Sequence, residues 1–504
     1  MNTMKHSFML AASAAILAGL VSACATKNAD YLPAYSENGL YQIPPETPSG
    51  DQFSAFADNP FMSTEKEPVS TFSVDADGAS YAYMRRNIME GCHPNKESVR
   101  IEEFLNYFTF DYEDPSDGNL VAINSEVGPC PWNREHRLMR LGIKGQAIEA
   151  AKAPVANFVF LVDVSGSMGS EDKLPLLQSS LKALVDYLNP KDRIAIVTYA
   201  SGVRKVLEST PASEAAKIKA AIGELTAYGS TAGGAGMRMA YEEALKNFIE
   251  GGNNRVIMGT DGDFNVGETS TDAILELVQN YAQKGIYLTV CGFGLGNLND
   301  ALRETVSNKG NGTYQYIDSE GEMTKVFVNE RARFLAVAND GKAQVTFDPA
   351  MVSSYRLIGY ENRVMKEDDF KNDRKDAGEI GAGQTITALY EIVPGKDWGT
   401  RARKPVARFD FRYKKQLGEA SVALEKAVTT SDGTLSTPNL SLAAGIAAYG
   451  MLLRHSEYAG SASYDMAYGL VKKNIASLDQ KDYQYKLREE LLRLIAKAGV
   501  IKEN

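Results

Sequence analysis

The sequence is poor in the two side chains that build most metal and thiol sites: it has four histidines and four cysteines among 504 residues. It contains no Cys-x-x-Cys pair and no His-Glu-x-x-His motif, so a zinc site would need residues scattered along the chain. Long apolar runs are also missing. The best candidate, at 440–453, is shorter than the about 20 residues that a membrane-crossing helix requires, so it predicts a buried helix.

Positive charge is also scarce. Lys and Arg number 54 against 64 Asp and Glu, which gives a formal net charge of −10. Proteins that bind nucleic acids concentrate Lys and Arg against phosphates, so nucleic acid is not an expected partner. The glycine-rich stretch at 229–236 lacks the Gly-Lys-Ser/Thr of a P-loop, which argues against nucleotide binding. The content of 44% hydrophobic residues is that of a globular protein with more than one core.

The N-terminus has the pattern of a secretion signal. Lys5 precedes an apolar stretch at 8–21, which ends in the tetrad Val-Ser-Ala-Cys at 21–24. This tetrad resembles the lipobox of bacterial lipoproteins, which implies that residues 1–23 are a removed signal peptide and that Cys24 is lipidated. Such an anchor holds a protein on a membrane without crossing it. An ordinary signal peptide with an incidental Cys24 is the alternative.

Residues 24–68 begin with a stretch rich in Pro, Ser, Asn and Gly and predict a disordered tether. We therefore expect an extracytoplasmic protein anchored in the bacterial cell envelope, and Ala25 after the anchor cysteine favours the outer membrane. Cys92 and Cys130 form either a disulfide or two free thiols, because sequence does not show their proximity. Cys291 lies in a predicted strand and is expected to be a packed thiol.

The middle of the chain alternates between two apolar patterns. Short runs rich in β-branched and aromatic residues predict strands that are buried on both faces, and they lie at 155–162, 193–200, 255–260 and 286–293. Apolar residues spaced by three and four predict helices between them, at 174–188, 218–225, 241–248 and 274–281. Strands that alternate with helices predict a doubly wound, mostly parallel sheet of the α/β class.

Acidic and hydroxyl side chains collect where these strands are predicted to end. Asp163 closes the first strand and Asp261 closes the third. Ligands of such sheets bind beyond the carboxyl ends of the strands, so both carboxylates are expected at one edge with the hydroxyls of Ser165, Ser167 and Thr231. Oxygen ligands of this kind suit Mg²⁺, with Mn²⁺ or Ca²⁺ as alternatives.

Only two formal negative charges face the predicted cation, so it retains affinity for a carboxylate from another molecule. Asp263 follows closely in TDGDFNVG. We expect its side chain to cap the loop or to support a ligand through a hydrogen bond, rather than to bind the metal.

Three motifs in this order, DVSGS, GSTAGG and TDG, resemble the metal-ion-dependent adhesion site of the von Willebrand factor type A (vWA) domain. That domain is a Rossmann-like α/β module of integrins, matrix proteins and many bacterial proteins. The resemblance implies that Ser165, Ser167 and Thr231 contact the metal, and that Asp163 and Asp261 act directly or through water.

The flanks extend the resemblance to a bacterial subgroup of secreted vWA lipoproteins. The stretches STFSVDADGASYAYMRRNI and PCPWNREHRLMRLGIKG precede the metal motifs, and YRLIGYENRV and TALYEIVPG follow them. After the signal peptide and tether, the resemblance implies an N-terminal vWA-associated region at 69–150, a vWA domain at 154–332, a β-rich C-terminal domain at 335–430 and a helical region at 436–504.

Alternating residues in both flanks predict antiparallel strands, at 120–128, 137–145, 342–349, 386–393 and 406–414. We expect strands from the two sides to complete one sheet that holds both ends of the inserted vWA domain. Two independent β units are the alternative. Residues 487–499 have the apolar period of a helix.

These features predict a non-enzymatic, lipid-anchored protein whose metal captures a carboxylate of a partner protein. A metal-dependent hydrolase is the main alternative, although the predicted edge offers no histidine and no activated Ser-His pair. A structural component of an envelope assembly is a third possibility.

Overall fold

The computed structural model describes residues 53–75, 77–230, 233–262, 270–294, 300–399, 404–430 and 437–501. The strands in these residues are, in chain order, β1 (Met62–Ser63), β2 (Val69–Ser73), β3 (Val121–Pro129), β4 (Arg137–Gly145), β5 (Ala156–Asp163), β6 (Arg193–Tyr199), β7 (Val203–Pro211), β8 (Asn253–Thr260), β9 (Ile286–Phe293), β10 (Tyr314–Ile317), β11 (Ala336–Phe347), β12 (Val352–Ile358), β13 (Val364–Met365), β14 (Gly378–Gly381), β15 (Thr385–Pro394), β16 (Pro405–Lys414) and β17 (Val422–Thr429). The α-helices are α1 (Ala79–Glu90), α2 (Ile101–Asn106), α3 (Leu174–Val185), α4 (Ala215–Gly223), α5 (Gly233–Lys246), α6 (Thr271–Ala282), α7 (Asp300–Lys309), α8 (Glu320–Thr324), α9 (Pro438–Leu453), α10 (Tyr464–Ile475) and α11 (Tyr483–Ala498).

The central sheet has six strands in the order β10-β9-β8-β5-β6-β7. Neighbours from β10 to β6 pair in parallel, and the edge strand β7 pairs antiparallel with β6. This confirms the predicted doubly wound, mostly parallel α/β sheet. The four predicted strands are β5, β6, β8 and β9, each within about two residues at both ends. The strands β7 and β10 have no counterpart among the predicted ones.

Helices cover both faces of the central sheet. Because successive strand residues point to opposite faces, Phe160 packs with α3 and α4, whereas Leu161 packs with α5, α6 and α7. Helix α5 packs through small or flexible residues such as Met237 and Ala240. Leu245 and Phe248, which the apolar period assigned to the buried side, are 41% and 40% exposed.

Two antiparallel sheets pack face to face beside the central sheet. One has the order β1-β12-β15-β4-β3 and the other β13-β2-β11-β16-β17, with β14 on β11. Their inner faces share one apolar core, in which Leu141 and Ile386 come from the first sheet and Val345 and Phe409 from the second. This arrangement is a β-sandwich.

Both sheets of the sandwich combine strands from before and after the central α/β unit. In the first sheet β4 pairs with β15, and in the second β2 pairs with β11. The prediction that strands from the two flanks share a sheet is therefore confirmed, but the prediction of a single sheet is wrong. A second sheet is present because the apolar inner face of the first needs a cover, and β11 and β16 supply it.

Helices from both ends of the chain cover the outer face of the first sheet. Leu138 of β4 and Leu389 of β15 point outward into a core that contains α1, α2, α9, α10 and α11. The run at 440–453 forms most of α9, and nearly all of its residues are buried, as predicted. In the residues that the structure describes, no helix is long and apolar enough to span a bilayer.

The central unit is inserted into the sandwich between β4 and β11. A Cβ atom on Gly145, the last residue of β4, would lie 2.7 Å from the carbonyl oxygen of Gly381 and 3.1 Å from Val337 of β11. The two segments that link the sandwich to the central unit are therefore side by side. Position 145 needs glycine because no larger residue fits between these segments.

Arg85 of α1 joins three parts of the chain. Arg85 is 5% exposed. Its guanidinium donates to Asp318 after β10 at 2.8 Å, to Glu322 of α8 at 2.8 Å and to Glu490 of α11 at 3.1 Å. The N-terminal region, the central unit and the C-terminal helices thus meet at one buried ion cluster.

Two cysteine expectations are settled. Cys291 is a buried free thiol, as predicted, and burial raises its pKa to about 12. Cys130 is also a buried free thiol, so the alternative in which it bonds to Cys92 is wrong. Cys92 is itself disulfide-bonded, so the alternative of two free thiols is wrong as well. Burial raises the pKa of Cys130 to about 12, and the nearby carboxylate of Glu391 adds to the rise.

Replacing Arg85 by methionine should lower the free energy of unfolding by about 3–5 kcal/mol, because buried Asp318 would lose its counter-charge and buried Glu322 would keep only Lys325. Urea denaturation of R85M measures this loss, with R134M at an exposed arginine as the matched control. Equal stability of the two variants would contradict the role given to the cluster.

Candidate metal centre

Two neighbouring strands place the predicted acids side by side. β5 pairs in parallel with β8, with Val162 opposite Gly259. Asp163 is the last residue of β5, and Asp261 follows the last residue of β8. Gly259 allows α3 to lie close to this edge, because a Cβ atom there would be 2.3 Å from the side chain of Leu177.

Asp163 is fully engaged at the base of the site. One carboxylate oxygen accepts from the backbone N–H of Ser165 at 2.9 Å, and the other accepts from the hydroxyl of Thr260 at 3.0 Å. Burial raises the pKa of Asp163, and Asp261 contributes to the rise, whereas the hydrogen bond from Ser165 opposes it. Asp163 therefore organises the loop, and it would reach a metal through water more readily than directly.

Three oxygen-bearing side chains form a continuous chain above Asp163. The hydroxyls of Ser165 and Ser167 are 3.0 Å apart, and Ser167 donates to Asp261 Oδ1 at 3.1 Å. Ser165 and Asp261 are 2% and 3% exposed, whereas Ser167 is exposed. The structure thus brings together four of the five predicted metal residues at the surface of the sheet edge.

A second loop from the same edge is fixed to the first. Tyr228 N–H donates to the carbonyl of Val164 at 2.7 Å, and Gly166 N–H donates to the carbonyl of Gly229 at 2.9 Å. Gly229 has a φ of +77°, a conformation that favours glycine. Ser230 ends the described part of this loop.

Three predicted residues lie outside the described residues: Thr231, Asp263 and Cys24. Their assignments as a metal ligand, as a supporting side chain and as the lipid anchor therefore stay predictions.

Lys173 also reaches the site, which the sequence patterns did not indicate. Its ammonium donates to Asp261 Oδ2 at 2.7 Å and to the carbonyl of Ser167 at 3.0 Å. Lys173 comes directly before α3, six residues after Ser167. An exposed lysine at a helix start is the ordinary expectation there, and only the closeness of the β8 end explains its actual contacts.

The side chains fit a hard divalent cation. Two hydroxyl oxygens and one carboxylate oxygen lie at successive distances of 3.0 and 3.1 Å, and oxygen atoms so spaced can share one ion of the Mg²⁺ type. In the described part of the chain no group of three or more His, Cys, Asp or Glu has a metal-binding arrangement. A metal at this edge would therefore need the hydroxyl oxygens of Ser165 and Ser167 as well as the carboxylate, and their assignment as ligands stays a prediction.

Family profiles match three adjoining parts of the chain. Residues 157–329 match the von Willebrand factor type A domain, residues 47–140 match a profile named von Willebrand factor, and residues 332–501 match the profile "Uncharacterized protein YfbK, C-terminal". The uncharacterized protein YfbK of Escherichia coli (strain K12) is 38% identical over 481 residues, which cover 90% of this chain and 82% of that protein. The chain belongs to the YfbK family. The predicted vWA protein with characteristic flanks is thereby confirmed.

Solved structures show similar folds at lower identity. A von Willebrand factor type A protein from Catenulispora acidiphila is 17% identical, with a TM-score of 0.43, and covers 71% of this YfbK-family chain and 88% of its own. Proximal thread matrix protein 1 from the mussel byssus, in a structure with a zinc-occupied MIDAS motif, is 23% identical. Its TM-score is 0.29, and the match covers 37% of this chain and 47% of that one.

Replacing Thr260 by valine should lower the free energy of unfolding by about 1–3 kcal/mol, because one oxygen of buried Asp163 would lose its hydrogen bond. Urea denaturation measures the loss. The control variant is T226V, because Thr226 is exposed and lies just before the second loop. A T260V protein as stable as wild type would show that this contact does not organise the site.

Proposed function

We propose that this YfbK-family protein is a binding protein whose vWA domain holds a divalent cation and uses it to capture a carboxylate of a partner protein. The observation that carries the proposal is the chain of oxygens from Ser165 through Ser167 to Asp261 at the carboxyl edge of the central sheet, where Ser167 reaches the surface. A bound Mg²⁺ or Mn²⁺ would act there as a Lewis acid toward an outside oxygen ligand.

The charges of the site favour an anionic ligand from outside. Asp163 is occupied by Ser165 and Thr260, and one oxygen of Asp261 is held by Lys173. A divalent cation at the hydroxyls would therefore be only partly neutralised by the chain itself. A carboxylate of another protein would complete the charge balance, and its side chain is short enough to enter from the surface.

The surface around the site suits a protein ligand. Gly166, Ser170, Ser201 and Ser230 are exposed and small, so they leave room for another backbone. Tyr228 rises beside them with 49% of its surface exposed. Tyrosine is one of the residue types that most often carry binding energy at protein interfaces.

Binding accounts for the site better than hydrolysis does. The histidines in the described residues, His93, His136 and His455, lie outside the segment that matches the vWA domain. A hydrolase would need a free base or nucleophile close to the metal. The carboxylates and the lysine that the described residues supply at this edge are already hydrogen-bonded or ion-paired, Asp163 to Thr260 and Lys173 to Asp261. We therefore propose a non-enzymatic role.

The metal is tested by titrating purified protein with MgCl₂ and MnCl₂ in a calorimeter. We expect one ion to bind per chain and thermal stability to rise with ion concentration, because only the folded state holds the ion. In S167A both effects should be lost or weakened at least about tenfold. The control S179A removes an exposed serine hydroxyl from α3 and should match wild type. Wild-type protein that binds neither ion would overturn the proposal.

The partner is tested by capture from cell-envelope extracts in Mg²⁺ or in EDTA, with Asp163→Ala as the inactive variant. The expected partner is retained in Mg²⁺, released by EDTA and absent with D163A, provided that circular dichroism shows a folded variant. Replacing one Asp or Glu of that partner by its amide should then abolish capture. Capture that is indifferent to EDTA, or turnover of phosphoester substrates that requires Asp261, would contradict the proposal.

We also propose that the protein is lipid-anchored through Cys24 in the outer membrane, which rests on the tetrad at 21–24 and on Ala25. In the native bacterium, wild-type protein should fractionate with outer membranes and carry the mass of a lipid at its mature N-terminus. C24A should lose both properties. A wild-type protein that is soluble after export would indicate an ordinary signal peptide.

A further inference from the structure

Lys173 contacts two groups of the candidate metal centre with one ammonium. Its Nζ lies 2.7 Å from Asp261 Oδ2 and 3.0 Å from the carbonyl oxygen of Ser167. Ser167 and Asp261 are also joined to each other through Asp261 Oδ1 at 3.1 Å. A metal ion held by Asp261 would therefore share that carboxylate with the ammonium of Lys173.

The stem of Lys173 packs against the glycine that follows β9. A Cβ atom on Gly294, which follows β9, would lie 2.3 Å from Lys173 Cε, so the stem passes directly over this glycine. The side chain of Lys173 is 17% exposed, and that of Asp261 is 2% exposed. An ion pair this well covered is screened less than a surface pair.

The backbone that carries Lys173 is anchored to the N-terminal region. Arg86 of α1 donates to Asp172 at 2.9 Å and to the hydroxyl of Tyr316 at 3.2 Å. Tyr316 in turn donates to the carbonyl of Gly294 at 3.0 Å. Asp172 and Gly294, which lie next to Lys173, are thus held by hydrogen bonds. The part of this region that can move is the flexible four-carbon stem of the lysine.

Two cations cannot both be neutralised by Asp261. An ion that binds Ser167 Oγ and Asp261 Oδ1 would lie about 2 Å from each of them, within a few ångströms of the ammonium on Oδ2. The repulsion between a divalent ion and an ammonium at this range is large in a partly buried site. One of the two must give way or bind more weakly.

We propose that Lys173 is a tethered competitor of the metal and sets the affinity of the site. Its ammonium neutralises Asp261 when no divalent ion is bound, and it swings away from Oδ2 when an ion enters. Metal binding is then an exchange of one cation for another. This inference rests on the proposed metal centre, and it adds the residue that determines how tightly the centre holds its ion.

The test is calorimetric titration with MnCl₂ and MgCl₂ of wild type, K173M and K173Q in the full-length protein. Methionine keeps the length of the stem without its charge, and glutamine keeps a hydrogen-bond donor in case K173M folds poorly. Both variants should bind each ion about tenfold more tightly or better, which corresponds to about 1.4 kcal/mol. The control K191M removes an exposed lysine just before β6, at the opposite end of the strands, and should bind like wild type.

Thermal melting supplies an independent readout. In EDTA, K173M should melt below wild type, because the nearly buried carboxylate of Asp261 loses its counter-charge. In excess Mg²⁺ this deficit should vanish, since the ion replaces the ammonium.

Wild type that binds the ions while K173M and K173Q bind them equally or more weakly would overturn the competitor role and leave the metal centre standing. If none of the proteins binds either ion, the proposed centre and this inference are both wrong.

Discussion

The parallel pairing of β5 with β8 is the constraint on which the site depends. It makes Asp163 and Asp261 leave the sheet as neighbours, and the burial of both strands beneath helices on each face fixes that position. The short turn after Asp163 then needs only two small hydroxyl residues to reach from one acid to the other. The sheet supplies the geometry, and the loops supply oxygen atoms.

The β-sandwich and its helices connect the candidate site to the rest of the protein. The sandwich is completed by strands from both flanks. The two ends of the vWA domain are therefore held together where the chain leaves the sandwich after β4 and returns to it at β11. At the carboxyl edge of the central sheet, α1 contacts the loop after β5 through Arg86 and the end of β10 through Arg85. Arg85 also contacts Glu490 of α11, so hydrogen bonds connect this edge to the N-terminal region and to the C-terminal helices.

The sequence best predicted the strands that are buried on both faces. Strands covered on both faces must be apolar throughout, so β5, β6, β8 and β9 were predictable. A motif confined to two strand ends predicted that Ser167 and Asp261 lie at the same edge of the sheet. Edge strand β7 has only two buried residues, and its charged residues Arg204, Lys205 and Glu208 are exposed, which weakens its signal. The second sheet of the sandwich, the contact of Lys173 and the burial of Arg85 depend on which distant segments meet, and local periodicity contains no such information.

The most direct test of the metal centre is anomalous diffraction from crystals of the protein grown or soaked with MnCl₂. The account predicts a manganese peak at the carboxyl edge of the central sheet, at coordination distance from the hydroxyls of Ser165 and Ser167, with Lys173 Nζ displaced from Asp261. A peak at another place only, or no peak under conditions that saturate vWA metal sites in control crystals, would contradict it.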